Sequence, residues 1–170
     1  MNEIKNKVSE SGLIQLDLVD FKPKSPIEEI DITHQLWQGL VLKEKDFRQW
    51  IKENNWAAYE GHGVCILCSA DAIIPTWAYM LIASALAPFA TDIVAGTKDE
   101  LEKEIIRKNI SNIELSAFTD RKVIVKGCSD IAFPEFAMIC LLNRLQPVVQ
   151  SIMYGEPCST VPIYKRPKQI

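Results

Sequence analysis

Residues 71–96, DAIIPTWAYMLIASALAPFATDIVAG, can be set without a gap over residues 130–155, DIAFPEFAMICLLNRLQPVVQSIMYG, at an offset of 59. Asp71 then meets Asp130, Pro75 meets Pro134, Ala78 meets Ala137 and Leu86 meets Leu145. Pro88 meets Pro147, Ile93 meets Ile152 and Gly96 meets Gly155, and one residue of slip upstream sets Cys68-Ser69 against Cys128-Ser129. Proline has no N–H, so it is welcome in a first helical turn, where no intrahelical acceptor exists. A second proline stops the helix and turns the chain back. Each copy therefore reads as strand, Cys-Ser loop, Pro-started helix, Pro, strand, Gly, and the matched spacings imply an internal duplication.

Working outward, Val64–Cys68 and Lys122–Val125 are apolar runs that read as the strands entering the two copies. Thr76–Ala87 and Glu135–Leu145 read as helices, and Asp92–Ala95 and Ser151–Tyr154 as the returning strands. Between the copies, Lys98–Lys108 is amphipathic, with Leu101, Ile105 and Ile106 on one face. Strands alternating with helices of this length predict crossover units and a parallel sheet, and continuous apolar strands predict a sheet covered on both faces.

Before Gly61 the pattern is less regular. Residues 12–21 read as a strand, Lys22–Ile32 with Pro23 and Pro26 as a loop, and residues 43–54 as a helix with Phe47, Trp50 and Ile51 on one stripe. Leu40–Leu42 is ambiguous between strand and helix. The expected fold is α/β and Rossmann-like: a mainly parallel sheet flanked by helices, built on two related βαβ units, with an N-terminal strand and helix extension. One domain over 1–170 is expected, comprising the extension 1–60, a first unit 61–96, a connecting helix and loop 97–121, a second unit 122–155 and a C-terminal arm 156–170.

Composition bounds the function. The 170 residues carry 19 Lys+Arg against 22 Asp+Glu, for a net charge of −3, with 48% apolar and 24% charged residues. That balance is of a folded chain and excludes disordered, collagen-like and coiled-coil classes. A pI near 5.5 argues against a general nucleic-acid binder. The N-terminal MNEIKNKVSESG lacks the apolar core of a secretory signal, and an odd count of 5 cysteines suggests no disulfide framework, so a cytoplasmic setting is expected. Residues 72–91 are uncharged, but Pro75 and Pro88 bound the helical part. Roughly 12 residues of helix reach ~18 Å, short of the ~30 Å hydrocarbon layer, so no membrane span is expected.

Loops at the carboxyl ends of parallel strands are where such folds hold ligands. Here they bring together Cys68, Ser69 and Asp71, then Gly127, Cys128, Ser129 and Asp130, then Glu156, Cys158, Ser159 and Thr160. Thiolates of Cys68, Cys128 and Cys158 could hold zinc or an iron–sulfur unit. Cys128, just ahead of a helix start, could act as a nucleophile assisted by Asp130 or Asp71, since helix N-termini lower a thiol's pKa. Ser69, Ser129, Glu156, Ser159 and Thr160 could bind a small anionic or thiol-reactive ligand. The simpler alternative is that the aspartates and serines are helix caps and the cysteines core.

Cys65 and Cys68 spell C-x-x-C, but a strand separates them by ~10 Å and points them to opposite faces, so Cys65 reads as core. Cys140, mid-helix, also reads as core. With only 2 histidines, of which His62 lies at the amino end of its strand, a Ser-His-Asp triad has little supply. The basic tail TVPIYKRPKQI reads as an extended arm or edge segment whose Lys165, Arg166 and Lys168 could meet an acidic patch, and a homodimer is expected.

The stretches QGLVLKEKDFR, CSADAIIPTWAYMLIASALAP, VIVKGCSD and SIMYGEPCSTVPIYKR together resemble a bacterial family found mainly in Bacteroidetes, catalogued as domain of unknown function 2480. The resemblance covers nearly the whole chain and carries no activity and no catalytic residue. The setting it implies, beside iron–sulfur assembly genes, suggests metal or sulfur handling. Three readings follow: a binding protein or accessory factor with a Cys/Asp-lined site, an enzyme with Cys128 as nucleophile, or a structural partner-binding module.

Overall fold

The computed structural model describes residues 12–126, 130–156 and 158–167. The chain runs β1 (Leu13–Leu16), β2 (Ile27–Asp31), β3 (Leu36–Trp37), β4 (Val41–Leu42), α1 (Glu44–Glu53), β5 (Gly63–Leu67), α2 (Thr76–Leu86) and β6 (Asp92–Ala95). It continues through α3 (Lys98–Ser111), β7 (Lys122–Val125), α4 (Pro134–Leu145), β8 (Ser151–Glu156) and β9 (Ser159–Lys165). Short 3-10 turns occupy Leu18–Phe21, Ile32–Gln35, Trp56–Tyr59 and Leu115–Phe118. The fold is α/β, with mainly parallel sheets and helices. No helix among the described residues is long and apolar enough to cross a membrane.

Two compact units form: a central one, Pro23–Glu104, and a terminal one within Met1–Lys22 and Ile105–Ile170. In the central unit β2, β5 and β6 make a parallel sheet in that order. The five residues of β5, GVCIL, are buried through Ile66, as a strand covered on both faces requires. Ala78, Ile82 and Leu86 of α2 are fully buried over Val64 and Ile66, with Phe47 of α1 and Trp56 completing the cluster. In the terminal unit β1, β7 and β8 are parallel and β9 closes the edge antiparallel to β8. Ala137, Leu141 and Leu145 of α4 are buried over Val123, Val125 and Ile152. Each buried Val, Leu or Ile of these clusters contributes roughly 1.5–3 kcal/mol by leaving water.

The backbone frames of the units match at the offset found in the sequence. Gly61 N donates to Phe89 O at 3.0 Å and Asp120 N to Val148 O at 2.9 Å. Thr91 N donates to His62 O and Gln150 N to Arg121 O, both at 2.8 Å. Both helices end the same way: Ala90 N donates to Leu86 O and Val149 N to Leu145 O. Pro88 and Pro147 precede those donors, and proline cannot prolong the helix ladder.

Three expectations need correction. The single pseudo-symmetric sheet is divided, because each crossover unit pairs with its own N-terminal strand, β5 with β2 and β7 with β1. Lys22–Ile32 is not wholly loop, since Ile27–Asp31 is β2, which pairs with β5 from Ile27 opposite Gly63 to Asp31 opposite Leu67. Residues 12–21 hold only a four-residue strand, which Asp17 ends by capping the turn at Leu18–Phe21. The C-terminal segment is an edge strand, β9. Its Pro162 sits where the register shifts between Ile152 and Met153, and edges and bulges are where a sheet tolerates proline. Arg166 pairs with Asp120 and donates to Val148 O at 2.6 Å, which fastens the end of the strand within the unit.

Candidate functional site

In the central sheet β2 ends at Asp31, directly opposite Leu67, the last residue of β5. The carboxylate of Asp31 caps the turn at Ile32–Gln35 by accepting from Thr33 N at 2.9 Å. The register also delivers the chain leaving β5 to the same carboxylate. Ser69 N donates to Asp31 Oδ1 at 3.1 Å and Ser69 Oγ to Oδ2 at 2.5 Å. Thr33 adds a second clasp: its Oγ1 accepts from Ala70 N at 3.0 Å and lies 3.1 Å from Ser69 Oγ. Cys68 Sγ donates to Ala70 O at 3.6 Å and lies 3.5 Å from Thr33 Oγ1. The result is a half-buried thiol between the Thr33 hydroxyl and the Ala70 carbonyl, in a loop fastened at its neighbours.

The electrostatics follow from these bonds. Burial pushes the Asp31 carboxyl up, but the donors of Ser69 and Thr33 together outweigh it and hold the group well below the usual carboxylate range. Tyr79, near the start of α2, is pushed up first by burial and then by Cys68 and Asp31. Cys65 is a different thiol: it is fully buried, donates to Glu28 O, and is pushed up by burial and then by Glu29. Burial of this kind makes a thiol inert, as expected of the first Cys in the C-x-x-C.

Asp71, two residues beyond Ser69, is exposed and lines an open groove of about 370 Å³ with Leu40, Val41, Leu42, Ile73 and Pro75. Trp37, Leu40, Val41 and Ile73 are among the exposed large apolar side chains of this unit, and Lys43 Nζ stands 4.0 Å over the Trp37 ring.

The terminal unit repeats the first step of the construction. Asp17 ends β1 and accepts from Val19 N at 3.1 Å, while Lys126 Nζ lies 3.6 Å from its Oδ2. Cys128 and Ser129, with Gly127, lie outside the described residues. Asp130 is exposed and pairs with Lys22 at 3.2 Å. Glu156 and Ser159 face each other across the β8–β9 hairpin, Thr160 opposes Gly155, and Cys158 is exposed at the turn. Cys140 is half-buried in α4.

Cys68 and Cys158, expected at one sheet edge with Cys128, belong to different sheets. Cys68 follows a strand of the central sheet, whereas Cys158 lies in a hairpin of the terminal one. Among the described residues no three His, Cys, Asp or Glu side chains come together as a metal site. Asp31 and Thr33 are absent from the residues singled out by the sequence. The signal is the Asp-x-Thr of residues 31–33, a turn-forming pair that straddles the end of the Lys22–Ile32 segment.

No curated protein and no solved structure matches the chain. A family model does match, over residues 2–166, and by that match the chain belongs to the family described as protein of unknown function (DUF2480).

Proposed function

We propose that the chain is a cytoplasmic binding protein or accessory factor whose ligand site is the Cys68 loop of the central unit, and that the ligand is thiol-reactive. The observation that carries this reading is the fastening of the loop from outside itself. Asp31, from a neighbouring strand, orders Ser69 through two bonds, and this holds Cys68 at the carboxyl end of β5. A carboxylate held ionised by hydrogen bonds gives a rigid frame, and rigid frames are what binding loops need. The donor set suits a covalent adduct on sulfur: one thiol, two hydroxyls and a carbonyl. It does not make a tetrahedral zinc or iron–sulfur site, which needs further thiolates or imidazoles. The matched frames of the two units support an internal duplication.

The test is mass-spectrometric mapping of modification by a small disulfide at neutral pH, with elemental analysis of protein purified without chelator. Cys68 should react at least about tenfold faster than Cys65, as a half-buried thiol does against a sealed one. Equal rates at the two sites would overturn the reading. More than about half an equivalent of zinc or iron, lost in Cys68→Ser, would replace it with the metal reading.

A second reading, a partner-binding module such as a homodimer, is favoured by the cluster of exposed apolar residues at Trp37, Leu40, Val41 and Ile73. Sedimentation of Val41→Ser against the parent protein separates the two readings.

A further inference from the structure

The terminal unit contains a cavity of about 140 Å³ between α4 and the β8–β9 ribbon. Met138 and Leu142 of α4, Ile152 and Met153 of β8, and Ile163 of β9 form its walls, with Tyr154 at the mouth. The space arises because β9 widens the sheet by one strand beyond β8. Tyr154 and Ile163 are correspondingly 37% and 50% exposed. The cavity meets a second groove at Met138 and Tyr154, and that groove runs over Leu18 and Pro134 at the carboxyl end of β1.

We propose that this cavity binds a small neutral apolar molecule, an aromatic ring or a short aliphatic chain, entering beside Tyr154. Its volume is close to the roughly 150 Å³ at which an apolar cavity stays dry and takes benzene. Water inside it would need two to four polar partners, and these side chains offer almost none. A charged ligand would lose its hydration with nothing in return. The two methionine thioethers are flexible and polarisable, so they adapt to rings and chains alike. The inference is independent of the Cys68 reading, which concerns the other unit.

The chain has 4 methionines, at positions 1, 80, 138 and 153, so methyl-labelled methionine gives a direct readout. Benzene should move the Met138 and Met153 methyl resonances saturably and leave that of Met80, which is 66% exposed on α2, in place. Benzoate, the same ring with a charge, should bind at least ~tenfold more weakly. Leu142→Phe should fill the space and abolish the shifts. Ile163→Phe, in the half-exposed wall, should weaken them even if the first variant does not fold. The proposal is overturned if Met138 and Met153 show no saturable shift, if Met80 moves equally, if benzoate binds as well as benzene, or if a folded Leu142→Phe or Ile163→Phe keeps the parent affinity.

Discussion

Asp31 of the central unit and Asp17 of the terminal unit occupy the same place in their sheets. Each ends the first strand and each caps a 3-10 turn by accepting from the backbone two residues on. Asp31 also holds Ser69, just beyond β5, and so organises a thiol-bearing loop, and Asp17 Oδ2 lies 3.6 Å from the Lys126 ammonium. The far edges diverge: the central sheet ends at β6, while the terminal sheet adds β9 and gains an apolar cavity beneath it. A shared frame thus carries two different surfaces, and the few residues just beyond the strands decide which, as is general where function is grafted onto a fold.

The sharpest way to break the comparison is at its paired glycines, Gly96 and Gly155, which have φ of +150° and +120°. A methyl at Gly155 would lie 2.5 Å from the backbone oxygen of Ser159, which is held in the β8–β9 hairpin. A methyl at Gly96 would meet the Glu100 side chain rather than backbone, and moving it would release the bonds that its carboxylate accepts from Thr97 N and Oγ1 at an exposed helix start. Gly155→Ala should therefore cost about 3 kcal/mol and Gly96→Ala about 1 kcal/mol in urea unfolding followed by circular dichroism. Equal costs would mean that the two turns are equivalent after all.

A smaller contrast is expected at the aspartates. Asp31→Ala removes a cap and two further charge-assisted bonds, for about 2 kcal/mol, whereas Asp130→Ala in the terminal unit removes an exposed ion pair with Lys22, for less than about 1 kcal/mol. If Asp130→Ala proved the more damaging in the same unfolding assay, the special role given to Asp31 would fail.

The smallest effect is a pH dependence that sharpens the same point. The folded-state pKa of Asp31 is depressed. Its contribution is therefore fully present above the unfolded value of about 3.9 and is lost as pH falls from there through the lower folded value. The deficit of Asp31→Asn against the parent should be constant from about pH 8 to 5 and shrink below about pH 4. Tryptophan fluorescence reads this cleanly, because the 4 tryptophans, at positions 37, 50, 56 and 77, all fall in the central unit. A deficit that stays constant to pH 3 would show that hydrogen bonding to the ionised form is not what the aspartate supplies.

The helices and the returning strands were legible in the sequence because their signals are local. Pro75 and Pro134 mark starts, and Pro88 and Pro147 mark stops, while Ala78 with Ala137 and Leu86 with Leu145, aligned in the sequence as repeat positions, prove fully buried. The fate of Cys65 was legible for the same reason, since strand alternation alone sends it into the core. The site was legible only on one side. Cys68 and Ser69 stood out as a repeated pair, but nothing near them in the chain announces that Asp31 holds them.

Residue order by itself therefore determined the α/β class, the two crossover units with their punctuation, and which thiol is sealed, since each depends on groups a few positions apart. Tertiary structure alone decided that β2 joins β5 while β1 joins β7, that a carboxylate 38 residues upstream clasps Ser69, and that β9 overhangs a cavity. Strand pairing sets these outcomes, and pairing between distant segments is chosen by the apolar surface they bury together, a quantity that exists only once the chain has closed on itself.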